Sequence, residues 1–361
     1  MTSIPAYSPI FALTRGGTVE SVHYGAIAVV DIKGRLIAGV GDPELTTFTR
    51  SSAKPFQVLP LLVRGGKKYY DLTDREIAIM CASHSGTDNH LEVIQQLQHK
   101  TGVSEHELLC GVHYPIHKPT ADAMRANHEK PTPNRHNCSG KHTGMCAFVR
   151  LLIEKEGQGA EGLPYIDPSH PIQEEIFSTF ARVCGLRSEQ IAIGIDGCSA
   201  PIFAAPLRNI AWGYAQICDP NLEDIGNQAI TTALRQVAKS MINHPDMVAG
   251  PDRFDTELMK IGRGKFVAKG GAEAFQGIGL MPDAIAPGSS AIGIAIKISD
   301  GDKRLTVRSA VTVEVLRQLG ALSSDELREL SVYSPHFPVK NWRGIVVGEA
   351  YPLFSLNANE L

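Results

Sequence analysis

The residues with the clearest chemical potential are a serine and a lysine that lie three positions apart, Ser51 and Lys54. If a helix begins here, this spacing places both side chains on one face, one turn apart. A lysine whose pKa is lowered by burial or by a second cation can be the base that a serine nucleophile needs. The motif also has a purely structural interpretation, in which the serine caps a helix and the lysine is solvated.

Two further segments supply the same residue types. The stretch 81–87 is dense in hydroxyls and contains Ser83, and small polar residues around a glycine suit a loop that lies close to a ligand. Lys269 precedes two glycines at the end of a predicted strand, where it can lie against a substrate. Either segment can instead be an ordinary turn. The order of the three pieces resembles penicillin-recognising serine enzymes. The second motif lacks an asparagine and the third lacks a hydroxyl, which argues against a β-lactam substrate but not against acyl transfer.

Two thiols, Cys138 and Cys198, lie in polar, glycine-containing loops. They are better ligand candidates than Cys146 and Cys184, which the pattern places in apolar helices and which we expect to pack as small hydrophobic residues. A structural role for both loop thiols stays open. Asp196 follows a predicted strand, where it can hold a substrate ammonium group or form a turn.

An α/β framework must position these residues. Strands are predicted at 24–30, 36–40, 190–195, 266–268, 277–280 and 291–298, most of them towards the two ends of the chain. Capping boxes at Thr73 with Glu76 and at Ser104 with Glu107 indicate helix starts. Helices are predicted at 77–81, 88–100, 142–156, 171–184, 222–242 and 309–319.

We therefore predict an α/β fold in which a sheet from about 1–50 and 260–361 flanks an inserted helical region at about 51–259. The whole chain, 1–361, is predicted to be one domain.

Composition excludes several classes of function. Hydrophobic residues are 43% and charged residues 20% of the chain, as in globular proteins, and a net charge of −3 leaves no basic excess for nucleic acid. Residues 1–9 lack the pattern of a secretory signal, and no apolar run is long enough to cross a bilayer. The seven cysteines, an odd number, favour reduced thiols over a disulfide framework. We expect a cytoplasmic protein without nucleic-acid or membrane partners.

Taken together, five motifs in order resemble the rhizobial-type L-asparaginases, also called the asparaginase II or class 3 family, over nearly the whole chain. The motifs are Arg50-Ser51-Ser52-Ala53-Lys54-Pro55, Cys81-Ala82-Ser83-His84-Ser85-Gly86, Asn137-Cys138-Ser139-Gly140-Lys141-His142, Asp196-Gly197-Cys198 and Lys269-Gly270-Gly271-Ala272-Glu273.

This resemblance implies a fold related to serine β-lactamases and glutaminases, and a homodimer. It also implies the roles of ten residues. The catalytic residues are two pairs, Ser51 with Lys54 and Ser83 with Lys269; the ligands of one Zn²⁺ per chain are Cys138, Lys141 and Cys198; the substrate contacts are Arg50, Asp196 and His142.

The predicted reaction converts L-asparagine and water to L-aspartate and ammonia. We prefer Ser51 as the nucleophile, because its lysine is predicted to lie one turn away on the same helix. The alternatives are a related glutaminase or penicillin-recognising hydrolase and, from another class, a zinc- and amino-acid-binding protein without turnover.

Overall fold

The computed structural model of the protein describes residues 6–157, 162–303 and 306–356. Residues 1–5, on which most of the signal-peptide prediction rests, lie outside these ranges. Within them, no helix combines the length and the apolar character that a membrane span requires.

The described residues form eleven strands and fifteen α-helices. The strands are β1 (Ser8–Arg15), β2 (Thr18–Asp31), β3 (Leu36–Val40), β4 (Thr46–Phe48), β5 (Ala192–Ile195), β6 (Pro201–Pro206), β7 (Phe266–Gly271), β8 (Phe275–Leu280), β9 (Ile292–Ile298), β10 (Phe337–Lys340) and β11 (Val346–Pro352). The helices are α1 (Lys54–Gln57), α2 (Leu59–Val63), α3 (Gly66–Tyr69), α4 (Asp74–Met80), α5 (Asp88–Thr101), α6 (Lys118–Ala126), α7 (Ser139–Glu156), α8 (Pro171–Val183), α9 (Leu207–Cys218), α10 (Leu222–Ile225), α11 (Gln228–Asn243), α12 (Pro245–Val248), α13 (Phe254–Ile261), α14 (Val307–Gln318) and α15 (Ser324–Glu329).

The chain divides into two compact units. The sheet unit consists of the described residues of Met1–Ser52, Ala205–Asp219 and Glu257–Leu361, and the helical unit of those of Ala53–Ala204 and Pro220–Thr256. The sheet unit takes most of its residues from the two ends of the chain, and the helical unit takes its residues from the middle. The predicted α/β class is confirmed. That the chain is one domain remains a prediction.

The sheet unit is built on one sheet in the order β10-β11-β1-β2-β9-β8-β7, with β3 paired to β2. All the strand pairs within it are antiparallel. Helix α9 packs against β9, β2 and β8. The approach is so close that a Cβ at Gly293 would lie 1.7 Å from the Ala211 carbonyl oxygen. Glycine inside these strands therefore reflects a helix backbone that touches the sheet.

The helical unit is centred on α4, which contacts α5, α7, α11 and α12. The predicted capping box at Thr73 and Glu76 is present and begins this helix. Two glycines let α7 approach it, because a Cβ at Gly140 would lie 2.2 Å from the Ile79 carbonyl oxygen and one at Gly144 would lie 2.7 Å from Met80 Sδ. The loop that follows α4 is thereby brought to the first turn of α7.

Several predictions differ from the structure in detail. The capping box at Ser104 begins only a single 3₁₀ turn, Glu105–Glu107. The predicted helix 222–242 is divided into α10 and α11, because Gly226 adopts a φ of +64° and Asn227 caps a new helix. Helix α9 lies within the region predicted as the helical insertion, yet it belongs to the sheet unit.

Candidate active site

Lys54 is the centre of the candidate site in the helical unit. It lies at the start of α1 and is only 1% exposed. Its Nζ donates hydrogen bonds to the Ala82 carbonyl oxygen at 2.5 Å, to Ser83 Oγ at 3.0 Å and to Cys138 Sγ at 3.2 Å. A lysine ammonium has three protons, so these acceptors use its full donor capacity. The buried lysine joins a candidate catalytic serine to a candidate metal ligand.

Ser83 lies in the loop after α4, and its main chain is tightly held. Its backbone N–H donates to the Val248 carbonyl oxygen at 3.0 Å, and that of His84 donates to the Asn137 carbonyl oxygen at 3.2 Å. The backbone amides of Ser83 and His84 are therefore both engaged with carbonyl oxygens.

His84 links this loop to the start of α7. Its Nδ1 accepts a hydrogen bond from the Gly86 N–H, so its Nε2 carries the proton and donates to Ser139 Oγ at 2.9 Å. Ser139 in turn donates to the Asn134 carbonyl oxygen. Burial lowers the pKa of His84 well below its ordinary value. This imidazole is neutral and acts as a fixed connector.

The three residues predicted as zinc ligands lie together in the helical unit. Lys141 Nζ donates to Cys198 Sγ at 2.9 Å. A hydrogen bond from Cys198, together with the charges of Lys54 and Lys141, lowers the pKa of Cys138 well below its ordinary value despite burial. The hydrogen bond to Cys138 and burial raise the pKa of Cys198. Of these two thiols, Cys138 is therefore the one that ionises first.

This donor set suits zinc, because thiolates are among its preferred ligands. Burial acts to lower the pKa of Lys141, but the two thiol groups outweigh it and raise that pKa. Lys141 would have to lose a proton to bind a metal. Among the described residues, no three His, Cys, Asp or Glu side chains are grouped as a metal site, so zinc here would depend on the lysine amine as the third ligand.

Other thiols of the described chain are chemically different. Burial raises the pKa of Cys110 and of Cys146 to about 12. All seven cysteines are free and buried, as expected for reduced thiols. The pKa of Cys138 differs from those of Cys110 and Cys146 because of its neighbours, a thiol that donates a hydrogen bond to it and two lysines.

Asp196 and His142 border the two thiols. Asp196 Oδ2 accepts a long hydrogen bond of 3.8 Å from Cys198 Sγ, in the turn that joins β5 to β6. His142 is fully buried, and its Nδ1 contacts the Tyr165 hydroxyl at 2.7 Å. Burial lowers the pKa of His142 to about 4. A carboxylate and a neutral imidazole thus adjoin the candidate metal ligands.

The sheet unit holds the remaining candidates, Arg50, Ser51 and Lys269. The first two lie in the 3₁₀ turn Arg50–Ala53, where Arg50 adopts a φ of +50°. Arg50 Nη1 lies 3.9 Å from Glu273 Oε1. Lys269 lies on β7, is 1% exposed, and donates to the Gly270 carbonyl oxygen at 2.6 Å. The predicted helix at Ser51 is thus a 3₁₀ turn followed by the short helix α1.

The predicted pairing of serines with lysines stays a prediction, because both pairs join residues of different units. Within the helical unit, the structure adds a contact that the sequence analysis did not predict, between Lys54 and Ser83. Motif spacing suggested Ser51 as the partner of Lys54, whereas a contact across a loop and a helix leaves no periodic signal in the sequence. The connecting roles of His84 and Tyr165 were missed for the same reason.

A buried lysine that is hydrogen-bonded to a serine is typical of hydrolases in which an amine activates a hydroxyl. The chain belongs to the L-asparaginase II family, whose model matches residues 11–352. No curated protein matches it.

Several solved structures resemble the chain at low identity. Mglu in its glutamate form is 13% identical with a TM-score of 0.44, and the match covers 83% of this chain and 62% of Mglu. The chain thus spans less than two thirds of Mglu. A Bacillus glutaminase is 14% identical with a TM-score of 0.38, over 81% of this chain and 90% of that one. A probable glutaminase of Bacillus subtilis is 13% identical with a TM-score of 0.40, over 82% and 89% of the two chains.

Proposed function

We propose that this protein is an amidohydrolase that acts on L-asparagine, which it converts with water to L-aspartate and ammonia. The observation that carries the proposal is the buried contact of 3.0 Å between Lys54 Nζ and Ser83 Oγ, in a chain of the L-asparaginase II family. A buried lysine destabilises the fold unless its charge is compensated, so a lysine kept beside a serine hydroxyl favours a functional role. Such a pair suits proton transfer.

The base must be a neutral amine. When Lys54 loses one proton, its lone pair faces the Ser83 hydroxyl, and the remaining protons satisfy Ala82 and Cys138. Ser83 can then pass its proton to Lys54 and take one from another hydroxyl. In the proposed mechanism this buried pair is one stage of the proton relay.

We assign the attack on the side-chain amide carbon to Ser51. The attack turns the amide carbonyl oxygen into an oxyanion, which needs preorganised donors. The amides of Ser83 and His84 are committed to carbonyl oxygens, which disfavours Ser83 as the nucleophile. Collapse of the tetrahedral adduct breaks the C–N bond, and the departing nitrogen takes a proton from a lysine to leave as ammonia. Water then cleaves the ester to give L-aspartate and restores the Ser51 hydroxyl.

The residues around Cys138 are proposed to bind zinc and to hold the substrate. Cys138, Lys141 and Cys198 would be the ligands, and the ion would supply a Lewis-acidic centre beside Asp196 that orients the polar groups of an amino acid. Asp196 would face the substrate ammonium group and Arg50 its carboxylate, with His142 as a further contact. A homodimer and a cytoplasmic location remain proposals; a monomer mass in light scattering across micromolar concentrations would contradict the first.

The test is a coupled assay of ammonia release from L-asparagine, L-glutamine and D-asparagine, with a chromogenic β-lactam as a further substrate. A site closed around the shorter amide misplaces the carbon of glutamine by ~1 Å, which costs ~100-fold in rate. We therefore expect L-asparagine to be preferred by about that factor in kcat/KM. Comparable values for both amides would instead indicate a glutaminase, and β-lactam turnover a penicillin-recognising hydrolase.

Matched serine variants separate catalysis from binding without turnover. Ser51→Ala and Ser83→Ala should lose ammonia release, whereas Ser240→Ala, which changes a buried serine of α11 whose hydroxyl has no partner among the described residues, should retain it. Zinc and asparagine binding without ammonia release by the parent would support the non-enzymatic alternative and overturn the proposal.

A further inference from the structure

The second serine of the Ser51-Ser52 doublet has no part in the chemistry proposed above, yet Ser52 is completely buried. Its hydroxyl donates to the Lys269 carbonyl oxygen at 2.6 Å. Strand β7 lies at the end of the sheet order, so among the described residues one of its sides has no strand partner. Ser52 supplies a hydrogen bond to this edge strand at the residue that bears the candidate catalytic amine.

Ser52 is itself held from the other side. Its carbonyl oxygen accepts a hydrogen bond of 2.8 Å from the Tyr214 hydroxyl. Tyr214 is fully buried on α9, and its ring fits against Gly277, where a Cβ would lie 2.1 Å from the ring. Because this ring cannot move without displacing the sheet, the Ser52 main chain has a rigid support.

The turn and the strand are also in close contact next to this bond. A Cβ at Gly271 would lie 2.6 Å from the Thr49 carbonyl oxygen and 3.2 Å from Arg50 Cβ. These contacts limit the distance between the turn and β7, but van der Waals contact is not directional. The hydrogen bond of Ser52 is directional and therefore fixes the position of the turn along β7.

We propose that Ser52 is a positioning residue, whose hydroxyl aligns the turn that carries Ser51 with the strand that carries Lys269. The inference rests on the proposed function, in which both of those residues take part in catalysis. Ser52 makes no contact with substrate in this scheme. It acts through Lys269, and its removal should impair the chemical step more than substrate binding.

The experiment compares the full-length variants Ser52→Ala, Lys269→Ala and their double variant in steady-state asparagine hydrolysis. Ser52→Ala should lower kcat by about tenfold or more, since a misplacement of under 1 Å is costly, while KM stays within about twofold. In the Lys269→Ala background, the same change should alter kcat by less than about twofold, because its effect passes through that side chain. If the residual rate is too low, ethylamine in solution replaces the missing amine, and the rescued rate should not depend on Ser52.

Two further variants control for misfolding. Tyr214→Phe leaves Ser52 in place but removes its support, and it should lower kcat in the same direction by a smaller factor. Ser309→Ala removes another buried hydroxyl of the sheet unit that donates to a carbonyl oxygen, and it should leave kcat unchanged.

The outcomes distinguish two failures. A parental kcat in Ser52→Ala, or an equal loss with and without the Lys269 amine, overturns the positioning role alone. Parental activity in Lys269→Ala overturns the catalytic role of Lys269, and the positioning role with it.

Discussion

The two units hold their candidate residues by different means. In the helical unit the candidates contact one another through side chains, as Lys54 does with Ser83 and Cys138, and Lys141 with Cys198. In the sheet unit the bonds described above run to the main chain, from Ser52 to the Lys269 carbonyl oxygen and from Lys269 to that of Gly270. Charge states are therefore coupled in the helical unit, whereas in the sheet unit position is set by backbone geometry.

This difference predicts how each unit responds to change. A substitution in the helical unit alters the protonation of its neighbours, because amines and thiols there share protons in a medium of low dielectric constant. Loss of the Ser52 hydroxyl in the sheet unit, by contrast, moves atoms without altering charge. Four experiments test the contrast, in order of decreasing effect.

The largest effect is expected at Lys54. Lys54→Met keeps the apolar stem but removes the amine that contacts Ser83 and Cys138, and kcat for asparagine should fall by ~10³-fold, as for loss of a general base. Adding Ser83→Ala should cost little more, because both act in one relay. If the two losses in kcat simply multiplied in the steady-state assay, the two side chains would not be coupled. That result would contradict the contrast between the two units.

The next effect concerns the backbone packing of the sheet unit. In Gly293→Ala the new Cβ would lie 1.7 Å from the Ala211 carbonyl oxygen of α9. Main-chain atoms yield poorly, so the free energy of unfolding should fall by about 3 kcal/mol. Gly17→Ala is the control, because a Cβ there meets no atom within 4 Å. Urea unfolding that gave equal midpoints for both variants would contradict the close approach of helix and sheet.

Acid should weaken the helical unit selectively, since the fully buried histidines among the described residues belong to it. Burial lowers the pKa of His90 to about 4. Below pH 6.5 the His90 side chain binds a proton in the unfolded chain but not in the folded one. The free energy of unfolding therefore falls as the pH falls from about 6.5 towards 4. For His90 alone the loss at pH 5 is about 2 kcal/mol.

His90→Gln should remove that part of the pH dependence, because glutamine can still complete the capping box with Thr87. His99→Gln, on the exposed side of the same helix, is the control and should leave the pH dependence of stability unchanged. Hydrogen exchange at pH 5 and pH 8 locates the effect. The contrast would be contradicted if, after correction for the intrinsic rate, exchange at pH 5 became faster in β2 and β9 by as much as in α4 and α5.

The smallest effect is expected from the proposed metal ligands. Cys138→Ala and Cys198→Ala should lose bound zinc and raise KM for asparagine by about tenfold, with a smaller change in kcat, as for lost ground-state binding. Cys184→Ala changes a buried thiol of the same unit whose pKa is raised by burial alone. This variant should retain both the bound zinc and the parental KM. A collapse of kcat at constant KM would place zinc in the chemical step. A parent protein without stoichiometric zinc would remove the site.

Local signals predicted much of the fold. The cap at Thr73 begins α4, the helix predicted at 88–100 is α5, and the late apolar runs are β7, β8 and β9. Each depends on residues that are close in sequence, so periodicity and capping suffice. Helix α9 was not predicted, because it is apolar on the faces that meet the sheet and has no capping signal.

The candidate site was predictable as a set of residues but not as a set of contacts. Motifs identified Lys54, Ser83 and Cys138 because each lies in an unusual local sequence. That one amine contacts both others depends on the close approach of α4 and α7, which two small residues on α7 permit. A sequence shows that Gly140 and Gly144 are small, but not which helix uses the space.

The pairing of β2 with β9 also bears on how the protein forms. Ile27 lies opposite Ile296, so about three quarters of the chain separates two strands at the middle of the sheet. Such long-range pairing is slow, whereas helices such as α4 and α5 form from neighbouring residues. During synthesis, β1 and β2 leave the ribosome long before β9 does, and the β9-facing edge of β2 stays unpaired until then. We expect this apolar edge to be the segment that chaperones protect and that aggregates when translation is interrupted.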